Sequence, residues 1–264
     1  MTMMKRTAAL VLFVVGGFSA HAAGSMSGNA GRNAVIVELF TSQGCSSCPP
    51  ADRVLSALGR DKSDGVTIIP LAFHVDYWNS IGWADPFSSS RWSARQNAYA
   101  AAMHSSQVYT PQLLVNGRAQ FVGSDEQRIR AEIASQSRLP ARGSVLIEGV
   151  KRGVDAVRVD VTASIGSEAG NADAEVYVVI FESGITTAVP RGENSGRRLA
   201  NDFIVRSMTP AFSVRSGQPA LTRTVTVPIA AAWKPENLGV AAFVQDRASL
   251  SINGGSARPV IMPR

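Results

Sequence analysis

Hydrophobic and polar positions fall into two textures along the chain. From residue 34 to residue 138, apolar runs of strand length alternate with segments at helical spacing. "AVIVELF" is a short β-rich run, and "PPADRVLSALG" follows as a predicted helix with Val54, Leu55 and Leu58 on one face and Gly59 as its C-cap. "VTIIPLAFHVD" predicts a second strand. "SSSRWSARQNAYAAAM" predicts a helix that places Trp92, Tyr99 and Met103 on one face. "PQLLVNGRAQFVG" predicts a hairpin turning at Asn116-Gly117. "SDEQRIRAEIASQ" predicts a closing helix, with Ser124 and Gln127 as a capping box and Ile129 and Ile133 facing inward. Strand, helix, strand, helix, hairpin, helix is the order of a mixed-sheet α/β unit.

"SRLPARGS" interrupts this pattern as a linker. Beyond it, "SVLIEGV", "AVRVDVTASI", "AEVYVVIFES", "RTVTVPI" and "GVAAFVQD" alternate or run apolar at strand length, separated by Gly, Pro, Asn and Ser. The expected arrangement is an α/β domain over 34–138 followed by an all-β, sandwich-like domain over 143–264.

Composition sets limits on function. The 264 residues are 45% hydrophobic and 17% charged, enough apolar mass for a sizeable core. The net charge of +6 comes from scattered arginines rather than a basic stripe, which argues against a nucleic-acid partner. Lys5 and Arg6, the apolar run "TAALVLFVVGGFSA" and the small-x-small "AHA" at 20–22 read as a signal peptide over 1–22. The apolar run is too short, and too interrupted by Gly16-Gly17, for a stable membrane anchor. The mature chain is therefore expected in a bacterial periplasm or secreted, where conditions are oxidising.

Cys45 and Cys48 are the only cysteines, in "ELFTSQGCSSCPPADRVL". A structural disulfide across two intervening residues closes a very small loop and gains little in chain entropy. A zinc site lacks a second cysteine pair; a four-ligand set would need both His74 and His104. A redox centre fits the context better. A Cys-x-x-Cys between a strand and a helix sets its first thiol near backbone N–H groups that favour the thiolate, and sets its second deeper to resolve a mixed disulfide. One departure stands out: Pro49 and Pro50 move the predicted helix start to Pro49, away from Cys45.

Together, "ELFTSQGCSSCPPAD", "AFHVDYWNSIGWADPF", "ARQNAYA", "YTPQLLVNG" and "RGENSGRRL" resemble an exported bacterial thioredoxin-like family classed as a domain of unknown function. The resemblance implies a thioredoxin fold for 34–138. It also implies that Cys45 is the attacking thiol, Cys48 the resolving thiol and Pro111 a cis-proline facing them, with the Thr110 backbone free to pair with a bound peptide. Glu38 is similar to the buried acid on the preceding strand, which would accept a proton from the resolving thiol, although its offset from Cys45 is one residue longer than in the thioredoxin pattern. A strand-end carboxylate paired with an arginine is the alternative for Glu38.

"HVDYWNSIGWADPF" leaves the second strand on the same sheet edge as the cysteines, so His74, Asp76 and Trp78 are candidates to line a substrate site. In the C-terminal part, the dense polar stretch around Arg191, Glu193, Arg197 and Arg198 reads as a solvated loop, with a contact surface as the alternative. The expected activity is thiol-disulfide exchange on protein or small-molecule disulfides, with no cofactor and no resident metal, and with protein or peptide thiols and a redox partner protein as partners. Two alternatives are a copper metallochaperone using Cys45, Cys48 and His74, and a binding module with an inert disulfide.

Overall fold

The computed structural model describes residues 34–61, 66–167 and 173–260. The signal peptide expected over 1–22 lies outside them. The N-terminal elements fall where the hydrophobic pattern puts them: β1 (Val35–Thr41), α1 (Cys48–Arg60), β2 (Ile68–His74), α2 (Ser90–Ala102), β3 (Gln112–Val115), β4 (Ala119–Val122) and α3 (Glu126–Ser137). Among the described residues nine strands follow: β5 (Gly143–Arg152), β6 (Ala156–Ile165), β7 (Asp173–Glu182), β8 (Ile185–Ala188), β9 (Arg198–Asn201), β10 (Ile204–Arg215), β11 (Leu221–Pro228), β12 (Leu238–Asp246) and β13 (Ile252–Pro259). A 3-10 turn, Pro235–Asn237, precedes β12.

The expected fold, an α/β thioredoxin-like domain followed by a sandwich-like domain, is overturned. Strands hold 44% of the described residues and helices 19%, so the chain is mainly β. One mixed eight-stranded sheet runs β13-β12-β7-β10-β2-β1-β3-β4. The joint is at β2: its outer edge is not free but lies parallel to β10, with Ala72 N–H donating to the Phe203 carbonyl at 2.8 Å. An open apolar edge is an aggregation hazard, and here the chain's own C-terminal strands close it.

Three apolar clusters hold the layers. On one face of β1–β3, Val35, Val37 and Leu39 pack against α1 and α3 through Val54, Leu55, Leu58, Ile129 and Ile133. On the other face, Ile36, Phe40, Leu71 and Phe73 meet Trp92 and Tyr99 of α2, and the cluster continues to Val179 and Phe243 of β7 and β12. A second sheet, β11-β6-β5, covers the remaining face of β7 and β12 through alternating valines of β6 and β7. Two local expectations are corrected. The N-cap of α3 is Asp125, which accepts from Arg128 N–H, rather than Ser124. Helix α1 runs past Gly59 to Arg60; a Cβ at Gly59 would lie 2.3 Å from the Phe203 ring, so this glycine serves close packing rather than a cap. Among the described residues no helix is long and apolar enough to cross a membrane.

Candidate functional site

Cys45 and Cys48 form a disulfide at the point where β1 gives way to α1, and both are fully buried. Helix α1 starts at Cys48, with the prolines in its first turn and Ser47 at the N-cap. Cys45 thus stands outside the helix, as the proline pair predicts. Ser47 makes no side-chain cap; its hydroxyl lies 3.3 Å from Cys45 Sγ and is the donor there, because a disulfide sulfur carries no proton. The Thr110–Pro111 peptide bond is cis, and the Thr110 carbonyl oxygen lies 4.0 Å from Cys45 Sγ. Trp78 Nε1 donates to Thr110 Oγ1 at 2.7 Å, and a Cβ on Gly44 would come within 3.2 Å of the Trp78 Cβ. Cys45, Thr110, Pro111 and Trp78 therefore form one constellation.

The other candidates sit elsewhere. Glu38 faces α2, where Arg95 Nη2 donates to its Oε1 at 2.7 Å and Nε at 3.1 Å. Side chains alternate along a strand, so Glu38 and Thr41 project from opposite faces of β1. Thr41 takes the α1 face, which leaves Glu38 in the arginine pairing. Asp76 accepts from Ser93 at the start of α2. His74 is buried and pairs through Nδ1 with Asp85 Oδ2 at 2.7 Å, while its Nε2 has no hydrogen-bond partner among the described residues.

The first turn after Cys48 in α1 does carry a buried acid, and it is Asp52. It is one helical turn after Cys48 and on the same face of α1. Thr41 Oγ1 donates to its Oδ1 at 2.8 Å, and Asn201 Nδ2 to its Oδ2 at 3.2 Å. Burial pushes the Asp52 carboxyl up to about 6, against the opposing pull of His74. Burial on its own would lower His74, but the adjacent Asp85 carboxylate outweighs it and holds the imidazole above its ordinary value. Burial likewise opposes ionisation of Asp85; His74 and the N–H groups of Gln43 and Phe87 still bring it below the usual carboxylate range. Both shifts in the His74–Asp85 pair favour the charged forms, and Gln43, whose N–H donates to Asp85 and whose Nε2 donates to Asn201 Oδ1 at 2.9 Å, links that pair to Asp52 through Asn201.

Three further residues arrive from the loop between β8 and β9 and from β9. Asn194, fully buried, donates its Nδ2 to the carbonyls of Gln43 and Cys45, both at 2.9 Å. Glu193 Oε2 accepts from Ser46 N–H at 2.9 Å. Asn201 completes the set. Sequence reading missed Asp52, Gln43, Asn194 and Asn201. A charged residue four after Cys48, inside the apolar stripe of α1, was a usable signal for Asp52; no local pattern pointed to the others. The stretch read as a solvated loop is in part a contact made by the chain with itself. Among the described residues, no three His, Cys, Asp or Glu side chains are grouped to hold a metal ion.

A family model described as "Protein of unknown function (DUF1223)" matches residues 36–245. Protein AGR_C_4864 from Agrobacterium tumefaciens, a crystal structure, is 31% identical, with a TM-score of 0.64 over 87% of this chain and 96% of that one. HBP35 of Porphyromonas gingivalis shares the fold at a TM-score of 0.61 and 14% identity, over 87% of this chain and 76% of that one. No curated protein matches the chain. These matches give the family of unknown function and do not extend to a thioredoxin-like assignment.

Proposed function

Because the chain belongs to the family described as protein of unknown function (DUF1223), whose description names no activity, we propose its function from the site itself: exchange of thiols and disulfides through Cys45 and Cys48 in an exported protein. The observation that carries the proposal is the disulfide between the only two cysteines, set against the Thr110 carbonyl and one helical turn along α1 from the buried carboxyl of Asp52.

In the oxidised form, a substrate thiolate attacks Cys45 Sγ. The Cys45–Cys48 bond breaks, a mixed disulfide forms, and the electron pair leaves on Cys48 Sγ, which takes a proton from Asp52. The substrate's second thiol, once deprotonated, attacks its own sulfur in the mixed disulfide and releases Cys45, which is protonated from solvent. The substrate loses two electrons and two protons; the pair gains both. Asp52 suits the proton step because a carboxyl near 6 gives and takes protons close to neutral pH. In the reverse direction, ionised Asp52 draws the proton from Cys48 as Cys48 resolves the mixed disulfide.

A second reading has its own support. Both sulfurs are fully buried, as in an inert staple. Titration of the purified protein in thiol/disulfide buffers, scoring Cys45 by alkylation with Cys45→Ser as control, separates the two. A reversible two-electron transition between about −300 and −100 mV is expected for an exchange centre. A pair that stays oxidised across that range sinks the proposal and leaves the staple.

A further inference from the structure

The N–H that directly follows Cys45 is taken by a carboxylate 147 residues further along the chain. Ser46 N donates to Glu193 Oε2 at 2.9 Å. Two features show that the contact is built rather than incidental. The neighbouring Asn194 is fully buried and its amide spans the Gln43 and Cys45 carbonyls at 2.9 Å each, which fixes the loop on the cysteine segment. Asn194 is itself held: Arg197 Nη1 donates to its Oδ1 at 3.0 Å. The loop also fits closely against the aromatic insert; Gly192 has φ +77° and a Cβ there would lie 3.1 Å from the Trp83 Cβ.

We infer that Glu193 is a positioning residue for the Cys45 sulfur: carried into place by Asn194, its carboxylate reserves the Ser46 N–H and holds negative charge beside the thiol, keeping reduced Cys45 protonated while the loop is docked. The physical ground is twofold. A thiolate is favoured by N–H donors and disfavoured by nearby negative charge. Cys45 stands outside helix α1, so its own backbone is not part of the helix N-terminus, and the Ser46 N–H that directly follows it is the donor the carboxylate takes. The Glu193 carboxyl lies below its ordinary value because Ser46 donates to it, so it is ionised across the neutral range. The residue tunes the exchange centre proposed above, and in that sense rests on it.

The test uses the full chain carrying Cys48→Ser, so that Cys45 is the one thiol. The rate of its alkylation by iodoacetamide is followed against pH in this background and with Glu193→Gln, Glu193→Ala or Asn194→Ala added. Thermal melts check that each variant is folded. Glu193 is exposed, so its variants keep the core intact. Glu193→Gln is expected to move the midpoint of the pH profile down and raise the rate at pH 7 by roughly two- to fivefold, the scale of a solvent-screened charge interaction. Glu193→Ala and Asn194→Ala should do at least as much, since they also loosen the loop. Midpoints unchanged in both Glu193 variants overturn the inference. The midpoint reads thiol ionisation and not exchange: a pair that never exchanges with substrates leaves the result standing, and an unmoved midpoint leaves the exchange reading standing.

Discussion

At the residue scale, the notable group is a carboxylate whose burial works against the fold. Asp52 has its carboxyl raised from 3.8 to about 6 by burial, so the folded state binds a proton more tightly than the unfolded chain. The stability this confers is complete below about 3.8 and is lost as pH rises through about 6, which makes ionised Asp52 a cost of up to about 3 kcal/mol at neutral pH. Asp52→Asn is therefore expected to raise the melting temperature at pH 7–8 and to flatten the stability profile between pH 4 and 6; chemical denaturation across that range checks it. If Asp52 passes a proton to Cys48 as proposed, the same variant should also slow thiol exchange. An acid retained at a cost to stability in this position fits a role in chemistry. Glu38 shows why sequence alone picked the other carboxylate. It sits on β1 close ahead of the cysteines, but parity along the strand turns it to the α2 face, where Arg95 neutralises it. Parity follows only once the facing helix is known.

At the element scale, much was legible. Val54, Leu55 and Leu58 marked the buried side of α1, and Ile129 and Ile133 that of α3, because helical periodicity is a local property. The Asn116-Gly117 turn was legible for the same reason: both residues have positive φ, at +48° and +61°. Its wider role was not. Asn116 Oδ1 accepts from Ile36 N–H, its carbonyl accepts from Ile252 N–H, and a Cβ on Gly117 would come within 2.4 Å of the Leu250 carbonyl. Gly117→Ala is thus expected to destabilise by about 2 kcal/mol or more, through both backbone strain and a clash with main chain that has no rotamer to give; a urea midpoint measures it. Strand β10 escaped sequence reading altogether. Pro210 and two register shifts, between Val205 and Ser207 and between Pro210 and Phe212, break the alternation that identifies a strand. Strand β13 hid behind Gly254 and Gly255.

At the scale of the whole molecule, the missed β10 decides the architecture. By lying beside β2 it joins the strands before residue 138 to those after residue 143 in one sheet, and the cluster around Phe40 and Phe73 extends to Val179 and Phe243. The full chain is expected to melt in one cooperative transition, with near-ultraviolet and far-ultraviolet signals coinciding. A fragment ending at Arg138 would lose both the edge partner of β2 and part of that core, and should show no such transition. The clasp at the cysteines carries a further consequence, one of time rather than structure. Cys45 and Cys48 are three positions apart, so they meet as soon as the chain is made. The backbone contacts that Glu193 and Asn194 make with the cysteine segment span 147 to 151 residues, and closing loops of that length comes late in folding. The young chain therefore passes through an interval in which its sulfurs are close together, open to whatever oxidant or thiol is at hand, before the late loop docks on the cysteine segment.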